Sequence, residues 1–138
     1  MSQEGTLRLL TVQGDGIQFE ARFDTGTLVM DSGKGVHHPS PVQTLLAAVA
    51  TCQAMDVIVV LRKKRQQVTA YEVRMSGERV AESPRRFTAI TLVHRITGRG
   101  LQRAAAEEAV RLAHKHCSVS HSLRPDIVLT NEIELLEG

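Results

Sequence analysis

The sequence has few aromatic residues: they make up 3% of its 138 residues, with no tryptophan and one tyrosine. A hydrophobic core must therefore be filled mainly by Leu, Val, Ile and Ala. Net charge is also small, at +2. Nucleic-acid interfaces ordinarily carry a stripe of basic residues interleaved with aromatics, which is missing here. We therefore expect no nucleic-acid partner.

Cysteine is scarce as well. Cys52 and Cys117 are the two cysteines of the chain, and such a pair is more typical of free or redox-active thiols than of a secreted disulfide framework. The N-terminus is polar, with Gln3 and Glu4, and lacks the basic-then-apolar run of a secretory signal. The sequence predicts a cytoplasmic protein with one domain, residues 1–138.

The stretch from Ser40 to Arg65 predicts a long central helix. Ser40 is a suitable N-cap, Pro41 suits the first helical position, and Gln43 completes a capping box. No charged residue occurs before Asp56. Because the helix is apolar nearly all round, it is expected to be buried.

The apolar run from Leu45 to Leu61 is slightly short for a membrane span and contains Thr51, Gln53 and Asp56. Strands are predicted on both sides of it, which favours a buried helix and no membrane contact.

Alternating hydrophobic residues predict strands before and after this helix. The predicted elements are strands at Thr6–Val12, Ile17–Phe23 and Thr27–Met30, the central helix, strands at Val68–Gly77 and Phe87–Thr97, a helix at Leu101–Cys117, a loop at Ser118–Pro125, and a last strand marked by Ile127, Leu129, Ile133 and Leu135, with Asn131 the polar exception on its face. The order β-β-β-α-β-β-α-β indicates an α+β fold.

One six-stranded sheet covers only one face of a helix that is apolar all round. The other face needs a second copy of the chain, so the sequence predicts an obligate homodimer.

Cys52 and Cys117 both fall on apolar helix faces, which leaves two interpretations open. They are either buried structural thiols or a redox pair in which one thiolate attacks and the other resolves the product as a disulfide. An attacking thiol needs nearby positive charge. Cys52 is too far from the helix N-terminus for the dipole to supply it, so a basic residue must come from elsewhere.

The histidines offer weaker candidates. His114, His116 and His121 cluster with Cys117, but their spacing matches no regular zinc pattern, and His114 and His116 point to different helix faces. We expect no metal and no cofactor. His37-His38 is either plain loop or the edge of a pocket near the start of the central helix.

Several motifs resemble the OsmC/Ohr family of organic-hydroperoxide reductases. The run Ser40-Pro41-Val42-Gln43-Thr44-Leu45 leading to Cys52 is similar to the start of that family's central helix, and Cys117-Ser118-Val119-Ser120 is similar to its Cys-Pro-Val-Ser motif. The segments Val57–Thr69 and Glu82–Thr88 resemble its YhfA-like branch most closely. The resemblance covers essentially the whole chain.

This resemblance implies an intertwined homodimer, with two long central helices wrapped by sheets from both chains and active sites at the subunit interface. It also implies that Cys52 is the peroxidatic cysteine and Cys117 the resolving one. The implied substrates are small hydrophobic organic peroxides, and the implied reductant is a dithiol such as a lipoylated protein.

The chain departs from the family pattern at two positions. Val42 stands where the reductases have a Glu that orients a catalytic Arg, and Ser118 replaces the Pro of the second motif. Arg22 and Lys34 are the candidates for the activating cation. Two functions therefore remain open: an organic-hydroperoxide peroxidase in oxidative-stress defence, or a dimeric protein of the same fold that binds a small apolar or electrophilic molecule without turnover.

Overall fold

The computed structural model describes residues 1–13, 16–32 and 37–138. The elements in chain order are the strands β1 (Thr6–Gln13), β2 (Gly16–Phe23) and β3 (Gly26–Asp31), the helix α1 (Pro41–Lys63), the strands β4 (Gln67–Arg79) and β5 (Phe87–Arg99), the helices α2 (Arg103–His116) and α3 (Ser118–His121), and the strand β6 (Val128–Glu137). The predicted α+β fold and element order are confirmed, with one short helix added.

The chain divides into two compact units, Met1–Leu45 and Leu46–Gly138. The first unit contains β1, β2 and β3, which form an antiparallel sheet in that order. A tight turn at Asp24 and Thr25 joins β2 to β3, and Arg22 pairs with Thr27 beside it. Within this unit Leu7 and Val12 are each 59% exposed, so one thin sheet leaves much of its own apolar surface uncovered.

The second unit contains a separate sheet in the order β4-β5-β6. The prediction of one six-stranded sheet is therefore wrong. The chain instead forms two three-stranded sheets. In the second sheet, β6 is the third strand and pairs in parallel with β5. β4 and β5 pair antiparallel over almost their whole length.

The core of the second unit lies between its helices and the sheet. It contains Val57 and Leu61 of α1, Ile96 of β5, and the small residues of α2. The i, i+4, i+7, i+11 spacing of Ala106, Val110, Ala113 and Cys117 predicts one buried stripe on this helix. The structure confirms it, since all four residues are buried. Small residues let the helix approach closely, which compensates for the scarcity of aromatic side chains.

Helix α1 begins with the predicted capping box. The Ser40 hydroxyl accepts a hydrogen bond from the Gln43 N–H at 3.1 Å, and the Gln43 side chain accepts one from the Ser40 N–H at 3.0 Å. The helix is long and apolar enough to cross a membrane by length and composition alone, with a mean hydropathy of 2.0 over its most apolar 18 residues. Its buried residues are Val49, Ala50, Gln53, Val57 and Leu61.

Candidate active site

Cys52 lies in the middle of α1, beside the stripe that faces the core. Its side chain is partly exposed, because it points to the flank of the helix rather than to its buried centre. Asp56 follows one turn later, and residues four apart on a helix lie on the same side with their Cβ atoms about 5–6 Å apart. A thiol and a carboxylate therefore share this flank.

Cys117 lies at the end of α2 and is 0% exposed. It is also the N-cap of α3, where its sulfur accepts a hydrogen bond from the Ser120 N–H at 3.3 Å. The Ser120 hydroxyl donates to the Cys117 carbonyl at 3.2 Å. These bonds form a short helix where the sequence predicts only a loop, because the cap satisfies an N–H that would otherwise have no partner.

The structure brings the two cysteines together. Although 65 positions separate them in the sequence, the Cys52 and Cys117 thiols lie in hydrogen-bonding contact, with the Val119 N–H also directed at Cys52. Helices α1 and α2 pack through the same core, and this packing places their cysteine positions side by side. The contact does not by itself assign a role to either thiol.

Electrostatics hold Cys52 in the thiol form. Burial raises the pKa of Cys52, the neighbouring Cys117 thiol raises it further, and the negative charge of Asp56 acts in the same direction. The Val119 N–H opposes these effects by stabilising the thiolate. Among the described residues, no Lys, Arg or His contributes to the shift of this pKa.

Arg22, one of the two sequence candidates for the activating cation, belongs to the first unit. Arg22 is exposed on β2 and forms an ion pair with Glu20 at 3.1 Å. Lys34 lies outside the described residues. Val42, at the second position of α1, carries no charge.

The histidines separate into different environments. His114 and His121 line a cavity of about 310 Å³ with Arg124 and Leu129, whereas His116 lines another cavity. His114 and His116 thus face different surroundings, as their spacing predicts. Residues 1–13, 16–32 and 37–138 contain no group of three or more His, Cys, Asp or Glu side chains arranged to hold a metal ion. His37 is exposed and His38 half-buried.

A cavity of about 250 Å³ lies between α1 and α2, and the sequence did not predict it. Its walls are aliphatic, and its polar groups are Asp56, four residues after Cys52, and His116, directly before Cys117. The cavity is lined by Asp56, Val59, Val60, Leu112, Ala113 and His116. The lining includes sequence neighbours of both cysteines, but neither Cys52 nor Cys117 itself.

A buried polar chain crosses the second sheet. The Tyr71 hydroxyl lies 2.6 Å from His94 Nδ1, and His94 Nε2 lies 2.8 Å from Asn131 Oδ1. Because the amide oxygen of Asn131 can only accept, Nε2 carries the proton and the tyrosine donates to Nδ1. Asn131, the polar exception on β6, is thus the partner of a histidine. His94 falls on the same alternating face of β5 as Ile90, Leu92 and Ile96. This alternation is the sequence signal that could have identified His94 as a buried residue.

Gln53 is a second buried polar residue that the sequence did not explain. Its side chain is 0% exposed, and neither its oxygen nor its nitrogen has a hydrogen-bond partner among the described residues. Leaving such a group unsatisfied costs about 1–3 kcal/mol.

Comparisons with known proteins agree with this architecture. The family model described as OsmC-like protein matches residues 32–132, which include both cysteines. Protein YhfA of Escherichia coli K12 is 39% identical over 124 residues, covering 88% of this chain and 92% of that protein.

Solved structures match the fold at lower identity. An OsmC-like protein from Mycoplasma pneumoniae superimposes with a TM-score of 0.80 at 15% identity, covering 99% of each chain. The organic hydroperoxide resistance protein OhrB of Bacillus subtilis matches with a TM-score of 0.62 at 19% identity, covering 95% of this chain and 98% of that one. The fold, the family model and the YhfA relative all agree: this chain belongs to the OsmC-like protein family.

Proposed function

We propose that this protein is a thiol-dependent peroxidase that reduces organic hydroperoxides with Cys52 and Cys117. The observation that carries the proposal is the contact between two thiols delivered by separate helices. A second support is the structural likeness to a protein described as an organic hydroperoxide resistance protein. Peroxide reduction would take place in a reducing cytoplasm, where the two free cysteines return to the thiol form between catalytic cycles.

The difference in exposure between the two thiols favours Cys52 as the attacking cysteine and Cys117 as the resolving one. Cys52 is partly exposed and Cys117 is fully buried, so an incoming peroxide meets Cys52 first. The Cys52 thiolate attacks the peroxide oxygen, the O–O bond breaks, and the alkoxide leaves as an alcohol after taking up a proton. Cys52 becomes a sulfenic acid.

Cys117 then closes the oxidative half of the cycle. Its sulfur attacks the Cys52 sulfenic acid, a Cys52–Cys117 disulfide forms, and the hydroxyl leaves as water with the proton of the Cys117 thiol. An external dithiol returns both cysteines to thiols and becomes oxidised itself. No cofactor is needed, because the sulfurs carry the two electrons.

The cavity lined by Asp56, one helical turn after Cys52, has aliphatic walls that suit a hydrophobic peroxide. Val59, Val60 and Leu112 line the cavity between α1 and α2, and an apolar organic group gains from leaving water there.

A peroxidase assay tests the proposal. With dithiothreitol as reductant, the wild-type protein should consume cumene hydroperoxide, Cys52→Ser should fall to the uncatalysed rate, and Cys117→Ser should react once and then accumulate oxidised Cys52. Mass spectrometry after mild peroxide should find a Cys52–Cys117 disulfide in the wild type. Turnover that survives Cys52→Ser would contradict the proposal.

A second function is favoured by the surroundings of Cys52, where burial and the Asp56 carboxylate both act to raise the pKa of the thiol. A thiol held protonated by burial and by Asp56 suits a protein that binds a small apolar or electrophilic molecule without turnover. In that case the wild type shows no peroxide consumption above the Cys52→Ser variant, while the cavity still binds an apolar ligand.

A further inference from the structure

Tyr71 is the single tyrosine of a chain that has no tryptophan. Tyrosine and tryptophan are the aromatic residues that give up one electron most readily, because a phenol or an indole ring stabilises the radical that remains. Tyr71 lies in β4 and is half-buried against the core of the second unit. One-electron oxidation of an aromatic side chain in this protein therefore falls on Tyr71.

The hydroxyl of Tyr71 is held against a base. It lies 2.6 Å from His94 Nδ1, a short hydrogen bond, and the two ring centroids are 6.0 Å apart. His94 is 0% exposed, and its Nε2–H donates to the Asn131 side chain at 2.8 Å. Asn131 thereby fixes the tautomer in which Nδ1 accepts the phenolic hydrogen bond.

Both partners of this hydrogen bond are neutral at rest. Burial lowers the pKa of His94, which favours the uncharged ring, and burial raises the pKa of Tyr71, which favours the protonated phenol. Tyr71 is thus a poor nucleophile, because the phenol rarely ionises. A phenol that loses an electron, however, becomes a strong acid, and its proton then needs an acceptor within hydrogen-bond distance. His94 Nδ1 occupies that position.

We propose that Tyr71 and His94 form a one-electron donor site that quenches oxygen-centred organic radicals, with His94 accepting the phenolic proton. The substrate class is the alkoxyl radical, which forms in solution when a reduced metal ion cleaves the O–O bond of an organic hydroperoxide. This activity goes beyond the proposed two-electron chemistry of Cys52 and Cys117 and does not depend on it.

One electron and one proton leave Tyr71 in the same step. The electron passes from the phenol ring to the alkoxyl radical, which becomes an alkoxide and takes a proton from water to give the alcohol. The phenolic proton moves to His94 Nδ1, so that a neutral tyrosyl radical faces an imidazolium. A one-electron reductant of the ascorbate class then returns an electron to the ring, and His94 returns the proton.

The burial of the pair suits this division between electron and proton. An electron can leave a half-buried ring without direct contact with its acceptor, whereas a proton moves only along a hydrogen bond. The one recorded path for the phenolic proton is the 2.6 Å contact with His94. Because His94 is fully buried, bulk water does not compete with it as the acceptor.

Flash photolysis measures the electron and proton transfer directly. A light pulse converts tris(bipyridine)ruthenium(II) to its ruthenium(III) form in the presence of an irreversible cobalt(III) quencher, and the tyrosyl radical is followed by its absorption. Every protein carries Cys52→Ser and Cys117→Ser, so that sulfur does not compete as the electron donor. Tyr71→Phe should give no tyrosyl radical.

The kinetics of the protein with His94 in place already test the inference. The rate constant for Tyr71 oxidation should be independent of buffer concentration, because the proton acceptor is internal. It should also fall in deuterium oxide, because the proton moves together with the electron. A rate that rises with buffer concentration, or that is equal in the two solvents, would overturn the inference.

His94→Gln separates the base from the hydrogen bond. Its amide oxygen can still accept from the phenol but is not a base, and a positioned base contributes about 10²–10⁴-fold to a proton transfer, so the rate constant should fall at least about a hundredfold. His114→Gln, at an exposed position of α2, is the matched control and should keep the parent rate. Circular dichroism checks that each variant is folded, and an unchanged rate in folded His94→Gln would contradict the role of His94.

A second measurement uses the substrate class itself. The cysteine-free protein is mixed with cumene hydroperoxide and ferrous iron, which generate an alkoxyl radical, and is frozen rapidly for electron paramagnetic resonance. A tyrosyl signal should appear, should be missing in Tyr71→Phe and should be lost on addition of ascorbate. Absence of the signal in the parent protein would rule out the alkoxyl radical as substrate. Because both cysteines are replaced, this result and the outcome of the peroxidase assay are independent of each other.

Discussion

At the scale of single residues, the site combines a thiol pair with an unfavourable charge. Cys52 and Cys117 touch, yet burial and Asp56 both act to keep Cys52 protonated. Val42, at the second position of α1, offers no carboxylate that could orient a cation. The fraction of Cys52 present as thiolate therefore depends on two opposing effects. Burial, Cys117 and Asp56 favour the thiol, and among the described residues only the Val119 N–H favours the thiolate.

Replacing Asp56 should release this restraint. Asp56→Asn removes a negative charge whose effect is to raise the pKa of Cys52, so that pKa falls and more thiolate is present at neutral pH. The rate of alkylation by uncharged iodoacetamide at pH 7 should rise a few-fold, and the rate-against-pH curve should move to lower pH. Glu132→Gln, at an exposed position of β6, serves as the control, and a curve that stays in place in Asp56→Asn would show that Asp56 does not act on the thiol.

His94 should make stability depend on pH. Burial lowers its pKa, against a smaller opposite effect of the Asn131 hydrogen bond, so the unfolded chain binds more protons than the folded chain below about pH 6.5. The free energy of unfolding should therefore have its full value above that pH. Below it, the free energy of unfolding should fall as the pH drops, by at most about 1.4 kcal/mol per pH unit.

Urea denaturation between pH 7.5 and 5 measures this loss. His94→Gln should flatten the pH dependence, while His114→Gln, at an exposed position of α2, should keep the wild-type slope. An unchanged slope in His94→Gln would assign the pH dependence to other groups.

At the scale of elements, local sequence signals predicted caps and buried faces, but they did not predict how the strands pair. The capping box at Ser40 and Gln43 and the buried stripe of α2 are confirmed because each depends on residues within a few positions of one another. The parallel pairing of β5 with β6 was not predicted, since strand alternation shows which face is buried but not which neighbour a strand takes. The helix α3 depends on the Cys117 sulfur as a cap, which is not a usual capping residue.

The capping box should contribute measurably to stability. Ser40→Ala removes the acceptor for the Gln43 N–H, and the free energy of unfolding should drop by about 1 kcal/mol. Ser76→Ala, at an exposed position of β4, should change it by less than about 0.5 kcal/mol. Equal losses in the two variants, measured by urea denaturation, would mean that the box contributes nothing of its own.

At the scale of the whole molecule, each unit exposes apolar surface that a single chain leaves uncovered. On α1, Met55 is 65% and Val59 46% exposed, and in the first unit several strand residues are similarly open. Exposed apolar surface of this kind is typical of an interface. The homodimer predicted from the sequence therefore remains our proposal for what covers α1.

Light scattering should find a dimer at micromolar concentration. Met55→Glu places a charge on the exposed apolar side of α1, and burying it against a partner costs several kcal/mol, so the dissociation constant should rise at least about a hundredfold. Ala104→Glu, at an exposed position of α2, should remain dimeric. A wild-type protein that is a stable, folded monomer at these concentrations would rule the dimer out.

The amino-acid sequence by itself determined the element order, the faces that are buried, and the two cysteines that matter for the proposed chemistry. These follow from periodicity, caps and residue types, which are local properties of the chain. The tertiary structure decided the division into two sheets, the contact between Cys52 and Cys117, and the Tyr71–His94–Asn131 chain. It also placed Asp56 in the cavity beside α2. All of these depend on side chains far apart in the sequence, and only the packing of helices and strands determines which of them meet.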